Sequence, residues 1–241
     1  LVIVSGSFLA YAMFGEYMPG GLAHNGIEYD RLIEQLFLLT DGIYGVPLGA
    51  AAGMIFAFVM FGAFLESSKM SSLFMDLACL LTRKSAGGPA KVSIFASALF
   101  GTISGSAAAN VYGTGTFTIP LMKRLGYGET FSGAVAASAC SGASILPPIM
   151  GTAAFLMVDV AGIPYIEIAI AATLPAIIYY FGLMMQVHYR AVLKGMRPIS
   201  EDTDHESAWT VLKENWLYII PIALLVTLII QRVNPTVVGL L

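Results

Sequence analysis

The chain has 241 residues, of which 57% are hydrophobic and only 11% charged, with a mean hydropathy of +0.80. Charged residues make up about a quarter of a soluble domain, so this composition excludes an ordinary soluble enzyme and points to an all-α polytopic membrane protein in contact with the lipid bilayer. A net charge of -3 gives no reason to expect a nucleic-acid partner, and Cys79 and Cys140 lie in apolar segments without metal-ligand neighbours, as small packing residues do.

Leu1 opens the chain inside an apolar run with no visible signal peptide, the pattern of a piece cut from a longer protein. That run reaches Phe14, stops at Met18-Pro19-Gly20-Gly21 and reads as a truncated transmembrane helix. Over Glu28 to Thr40, Leu32, Ile33, Leu36, Phe37 and Leu39 alternate with Asp30, Arg31, Glu34 and Gln35 at helical spacing, which predicts an interfacial helix. Gly42, Gly45 and Pro47 then open a spanning run to Leu65, closed by Glu66.

A second interfacial helix is expected over Ser67 to Lys84, with Met70, Leu73, Phe74, Leu77, Leu80 and Leu81 on one side, and Gly87-Gly88-Pro89 closes it. Val92 to Met122 is apolar, with breaks expected at Gly101 and at Ser104-Gly105-Ser106. Gly133 to Ile145 is a small-residue helix, broken at Pro147-Pro148 and resumed through Val160. Ile163 to Val187 is a long span with a kink expected at Pro175. Gly195 to Asn215 is a polar extramembrane connection, and Trp216 to Ile230 is a final span with Trp209, Trp216 and Tyr218 as an aromatic belt. The regions expected are therefore scaffold spans and interfacial helices over 1–91, a transport-type region over 92–162, and further spans over 163–241 with a cytoplasmic connection over 190–213.

The stretch Gly101 to Met122, GTISGSAAANVYGTGTFTIPLM, organises the rest. It carries serines, glycines, Asn110 and Pro120 inside an apolar zone, a pattern tolerated at membrane depth only where protein or water covers the backbone. A re-entrant hairpin is the expected form. Lysine and arginine concentrate around Lys69 to Lys91, at Lys123-Arg124, and over Arg190 to Lys213. A single crossing by Val92 to Met122 would place the second and third groups outside, against the positive-inside rule. Two full crossings need about twenty residues each, more than this segment holds. A half-depth hairpin puts all three groups on the cytoplasmic side.

At such a hairpin tip the first arm offers unpaired carbonyls and the second unpaired N–H groups, which suit a hard cation and a carboxylate. Ser104 and Ser106 are candidate caps of the second arm, and Gly105 permits a tight turn and close approach. Pro147 and Pro148 lack N–H groups, so the carbonyls of Ala143 and Ser144 are expected to need another partner, with sodium the natural occupant. Taken singly, residues such as Gly101, Gly105, Ala107, Gly133 and Ser141 are more often packing residues. Paired discontinuous helices, however, point to a transporter site. Asn110 is either a ligand or a helix-helix hydrogen bond. Glu66, Asp159 and Glu167 read as solvated, and His188 as an interfacial anchor beside Arg190. No nucleophile and base pair, metal-binding set or phosphate loop is evident, so no enzyme activity is expected.

The run GTISGSAAANVYGTGTFTIPLMKRLGY, with SILPPIMGTAAFLM, GIPYIEIAIAATLPAIIYY, GGPAKV, EQLFLLTDGIYGVPLG and FGAFLE, resembles the large membrane subunit of tripartite ATP-independent periplasmic (TRAP) transporters, TAXI type, over Arg31 to Tyr189. The resemblance implies one half of an inverted-repeat elevator transporter in a bacterial or archaeal cytoplasmic membrane. It further implies a sodium gradient as driving force, with sodium as coupling ion. The implied partners are a periplasmic substrate-binding protein and a small four-helix membrane subunit, separate or fused. The implied substrate is an organic acid, with a dicarboxylate plausible. Carried onto this chain, the family's sodium sites fall at Ser104, Gly105, Ser106 and Asn110 and at Ser141, Gly142, Ala143 and Ser144, and substrate contacts at Ser106, Asn110, Ser144 and Pro147. Close relatives are expected to carry a second glycine and a glutamine after the Ser-Gly pair, where this chain has Ala143 and Ser144. The competing readings are an ion channel with a hairpin filter and a non-transporting assembly subunit.

Overall fold

The computed structural model describes residues 1–40, 42–68, 70–82, 85–195, 216–233 and 237. The connection expected after Gly195, with Trp209, lies outside the described residues, as do Lys69, Arg83 and Lys84. Among the described residues every regular element is helical. The chain divides into two units, Leu1–Ala52 and Gly53–Leu241.

In the first unit, α1 (Val2–Phe14) ends in a 3-10 turn, and Tyr11 Oη donates to the Leu22 carbonyl at 2.8 Å. The Glu28 to Thr40 pattern resolves into a short α2 (Tyr29–Ile33) and a π-turn (Glu34–Leu38), and α3 (Val46–Ala50) follows.

The second unit contains α4 (Phe56–Ser67), α5 (Met70–Thr82), α6 (Gly88–Ser104), α7 (Ala107–Asn110), α8 (Thr116–Arg124), α9 (Glu129–Ser141), α10 (Thr152–Ala161), α11 (Tyr165–Leu193) and α12 (Ile219–Ile230). A π-turn at Val111–Gly115 joins α7 to α8. The central element is α6, with 12 of its 17 residues buried against α4, α5, α8, α9 and α11. Its start fits helix rules, because Pro89 stands in the first turn, where a missing N–H costs nothing. On α5 the inward side is Met70, Leu73, Phe74 and Ala78, while Leu81 is 67% exposed, which corrects its expected place on that face. Phe58, Phe155 and Tyr165 stack with centroids 5.0 to 6.1 Å apart and tie α4 and α10 to the start of α11.

Two described helices are long and apolar enough to cross a membrane, Leu48–Leu65 and Tyr165–Leu193. Only 28% and 11% of their apolar windows are buried, whereas the core helix of a soluble protein would hide most of such a surface. The all-helical architecture and these exposed apolar spans are consistent with a polytopic helical membrane protein.

Candidate functional site

The chain reverses direction at Gly105. There φ is +58°, a left-handed conformation that costs a side-chain-bearing residue energy, and the Gly105 N–H closes the last turn of α6 on the Gly101 carbonyl at 3.2 Å. Ser106 caps the returning arm by accepting from the Ala109 N–H at 3.3 Å, while Ser104 Oγ only reaches the Ser106 carbonyl at 3.5 Å. The result is a helical hairpin with one turn. The expected break at Gly101 is not present. Gly101 lies inside unbroken α6, where its missing side chain lets Ala143 approach: a Cβ would stand 3.0 Å from the Ala143 Cα.

Buried hydroxyls and one amide hold the two arms together. Ser93 donates to Thr118 at 3.2 Å, Ser97 and Thr114 share a bond of 3.0 Å, and Asn110 Nδ2 donates to the Ser97 carbonyl at 2.8 Å. Ser93, Ser97 and Gly101 recur every fourth residue on α6, facing Thr118, Thr114 and Asn110 at the same interval. Each rung puts small side chains in register, so the arms pack closely with their polar atoms satisfied. Asn110, fully buried, therefore makes a helix-helix hydrogen bond. Gly113 at the π-turn stands against the Phe100 ring.

The second break faces this tip. From α9 a 3-10 turn (Gly142–Ile145) leads into the Pro147-Pro148 segment, and α10 resumes at Thr152. Ile149 N–H donates to the Thr102 carbonyl at 3.1 Å, and a Cβ on Gly105 would lie 2.5 Å from the Met150 oxygen. The hairpin tip thus sits directly on the broken segment. The Ala143 and Ser144 carbonyls, expected to need an ion, are met instead by the N–H groups of Leu146 (3.4 Å) and Gly151 (2.8 Å). That corrects the argument for sodium from orphaned carbonyls at this break.

Three tyrosines of α11, which the apolar reading of that span missed, fix the broken segment. Tyr165 Oη donates to the Pro148 carbonyl at 2.7 Å, Tyr179 to Ser138 at 2.6 Å and Tyr180 to Ala139 at 3.1 Å. The last two satisfy carbonyls in the final turn of α9. Gly142 accommodates Tyr180, whose hydroxyl oxygen would stand 2.7 Å from a Cβ there. The available signal was chemical, since a tyrosine hydroxyl inside a span needs a partner.

Of the residues expected to bind, Gly105, Asn110, Gly142 and Ala143 are buried. Ser106, Ser141 and Ser144 are exposed, and Ser104 and Pro147 are half-buried. Ser141 and Ser144 donate to the Ala137 and Ser141 carbonyls, both at 2.8 Å. A donating hydroxyl keeps lone pairs for a cation, so these oxygens fit a sodium ion better than a metal that needs histidine, cysteine or carboxylate ligands. No group of three or more such ligands occurs among the described residues.

The far end of the hairpin is basic. Lys123 Nζ is 2.6 Å from Glu129 and holds that exposed carboxyl below its ordinary range by a hydrogen bond and by its charge, and Arg190 lies 4.5 Å over the Phe131 ring. Two of the predicted basic groups therefore lie at the same end. Lys91 is not a solvated member of the first group, because it is buried against Ser85 and the His188 Nδ1, 3.0 Å away in the latter case.

The family model of the DctM component of tripartite ATP-independent periplasmic transporters matches residues 1–241. The chain belongs to this family. As a DctM-family chain it is 24% identical over 180 residues to the sialic acid TRAP transporter permease protein SiaT of Haemophilus influenzae, covering 74% of this chain and 29% of that protein. It is likewise 24% identical over 180 residues to the sialic acid TRAP transporter large permease protein SiaM of Vibrio cholerae, 42% of whose length it covers. The isethionate TRAP transporter permease protein DctMQ of Oleidesulfovibrio alaskensis is 34% identical over 91 residues, which are 38% of this chain and 14% of that protein. This DctM-family chain spans less than half the length of each of these relatives.

Proposed function

We propose that the chain is the hairpin-bearing half of a TRAP large membrane subunit, of the TAXI type, that carries out sodium-coupled uptake of an organic acid across the cytoplasmic membrane. The observation that supports this reading is the seating of the Gly105 turn on the Ile149-Met150 backbone, which brings two helix interruptions into contact. Both hairpin ends would stay on the cytoplasmic side, since the arm that returns from Gly105 to Arg124 runs back to the end where α6 starts, although α6, at about 25 Å, reaches deeper than half of a hydrocarbon core of about 30 Å. Sodium would bind among Ser104, Gly105, Ser106, Ser141, Gly142, Ala143 and Ser144, using hydroxyl and main-chain oxygens. Substrate would contact Ser106, Ser144 and Pro147 from the open side, with Asn110 contributing through the arm that it locks to α6.

The hairpin and the broken helix would move together as an elevator, because the hydroxyl ladder and the Ile149-Thr102 bond make them one packed body. A periplasmic binding protein would deliver the substrate, and a small four-helix subunit would complete the membrane part. The relatives named for sialic acid and isethionate act on anions, which favours an organic anion here, and a dicarboxylate is the specific reading. The test is uptake of labelled dicarboxylates into proteoliposomes containing the full-length parent protein. Uptake is expected only with both an inward sodium gradient and the binding protein. Uptake that needs neither, or bare ion conductance, would overturn the proposal in favour of a channel.

A further inference from the structure

Between α9 and the C-terminal half of α11 runs an open groove of about 690 Å³, separate from the hairpin tip. Its α9 wall is Phe131, Ala134 and Ser138, and small residues there leave room beside Leu183 of α11. From Phe131 to Ser138 the wall rises about 10 Å along the helix axis. One end carries Arg190 and Lys194, and among the described residues no carboxylate lines the groove. Neither cation is ion-paired among the described residues, since the nearby Glu129 is taken by Lys123 at 2.6 Å. The Arg190 guanidinium is held 4.5 Å over the Phe131 ring, so its donors are positioned at the mouth of the groove. Beside it Tyr189 is 63% and Leu193 87% exposed, which extends an apolar surface outward from the groove.

An apolar channel with two cations at one end that have no ion-pair partner among the described residues, at the basic end of the helices, matches a molecule with a hydrocarbon chain and an anionic phosphate. Guanidinium and ammonium groups recognise phosphate by charge-assisted hydrogen bonds. We infer that the groove between α9 and α11 is a binding site for an anionic phospholipid, with its phosphate at Arg190 and Lys194 and an acyl chain along Phe131, Ala134, Ser138 and Leu183. A zwitterionic lipid offers the same chain without net charge and is the natural comparison.

The full-length protein in nanodiscs would be photolabelled with phosphatidylglycerol or phosphatidylcholine carrying the same acyl diazirine, and the labelled peptides mapped. Phosphatidylglycerol is expected to label residues 131–138 and 183–194 at least about tenfold more than phosphatidylcholine at equal mole fraction. Arg190→Gln with Lys194→Gln should bring that ratio close to one, and Ala134→Trp should reduce labelling by both lipids without touching the charges. Gel filtration and unchanged labelling elsewhere on the protein establish that each variant is folded. Equal labelling of the parent by the two lipids, or a ratio unchanged in the double variant, would overturn the inference. So would a groove labelled by neither lipid, the result if another part of the full-length protein fills it.

Discussion

Gly105→Val is expected to lower sodium-driven uptake by the full-length protein at least about 100-fold, because displacing a binding geometry by about 1 Å can cost that much. Two effects act at this residue. A valine is disfavoured at φ +58°, and its Cβ would stand 2.5 Å from the Met150 oxygen and 2.9 Å from the Ile149 oxygen, both main-chain atoms that cannot swing away. The hairpin tip must then leave the broken segment. Membrane insertion should persist, since the change leaves the apolar spans intact, and the amount of variant in the membrane fraction checks this. Uptake near the parent level would show that the tip contact is not needed for transport.

The second large effect is expected at Tyr165. Tyr165→Phe keeps the stack on Phe155 and Phe58 but removes the hydroxyl that donates to Pro148 and lies 3.5 Å from the Met150 N–H. The loss should be about 1–2 kcal/mol in stability, with uptake reduced about tenfold, because the freed segment forms the floor under Gly105. Tyr165→Ala also removes the ring and should cost about 3–5 kcal/mol. Thermal unfolding of both variants beside their uptake separates the two roles. If Tyr165→Phe transports like the parent, the hydroxyl does not position the site.

Local chemistry explains which parts were legible before the structure. The Ser-Gly-Ser turn and the proline pair could be read because both put polar or N–H-less backbone into an apolar zone, where few alternatives exist. Gly101 could not be read as a mid-helix residue, since its role depends on Ala143, 42 positions away in a different helix, coming within van der Waals reach. The fate of the Ala143 and Ser144 carbonyls was likewise non-local in outcome: the 3-10 turn folds back far enough for the Gly151 N–H to replace the donor that proline lacks. Leu81 fits an apolar stripe by spacing alone, but α5 turns that residue outward and packs Ala78 instead. The tyrosine contacts of α11 join residues 41 apart for Tyr179 and Tyr180, beyond any periodicity in the span itself. Asn110 was legible as a polar residue with two possible roles, and the ladder from Ser93 to Gly101 supplies the register in which it makes the hydrogen bond between helices.

The central claim, that the hairpin tip and the proline break form one sodium-binding site, is tested most directly by single cysteines at Ser106 and Ser144 in a full-length protein lacking Cys79 and Cys140. Both serines are exposed, so a maleimide should reach them, and Glu129→Cys at the exposed start of α9 serves as the control. At sodium about ten times its half-saturating concentration, labelling at Ser106→Cys and Ser144→Cys should slow about tenfold relative to potassium, while the control stays unchanged. Equal labelling in sodium and potassium at both positions, in variants that still transport with sodium, would contradict the account and place the ion elsewhere.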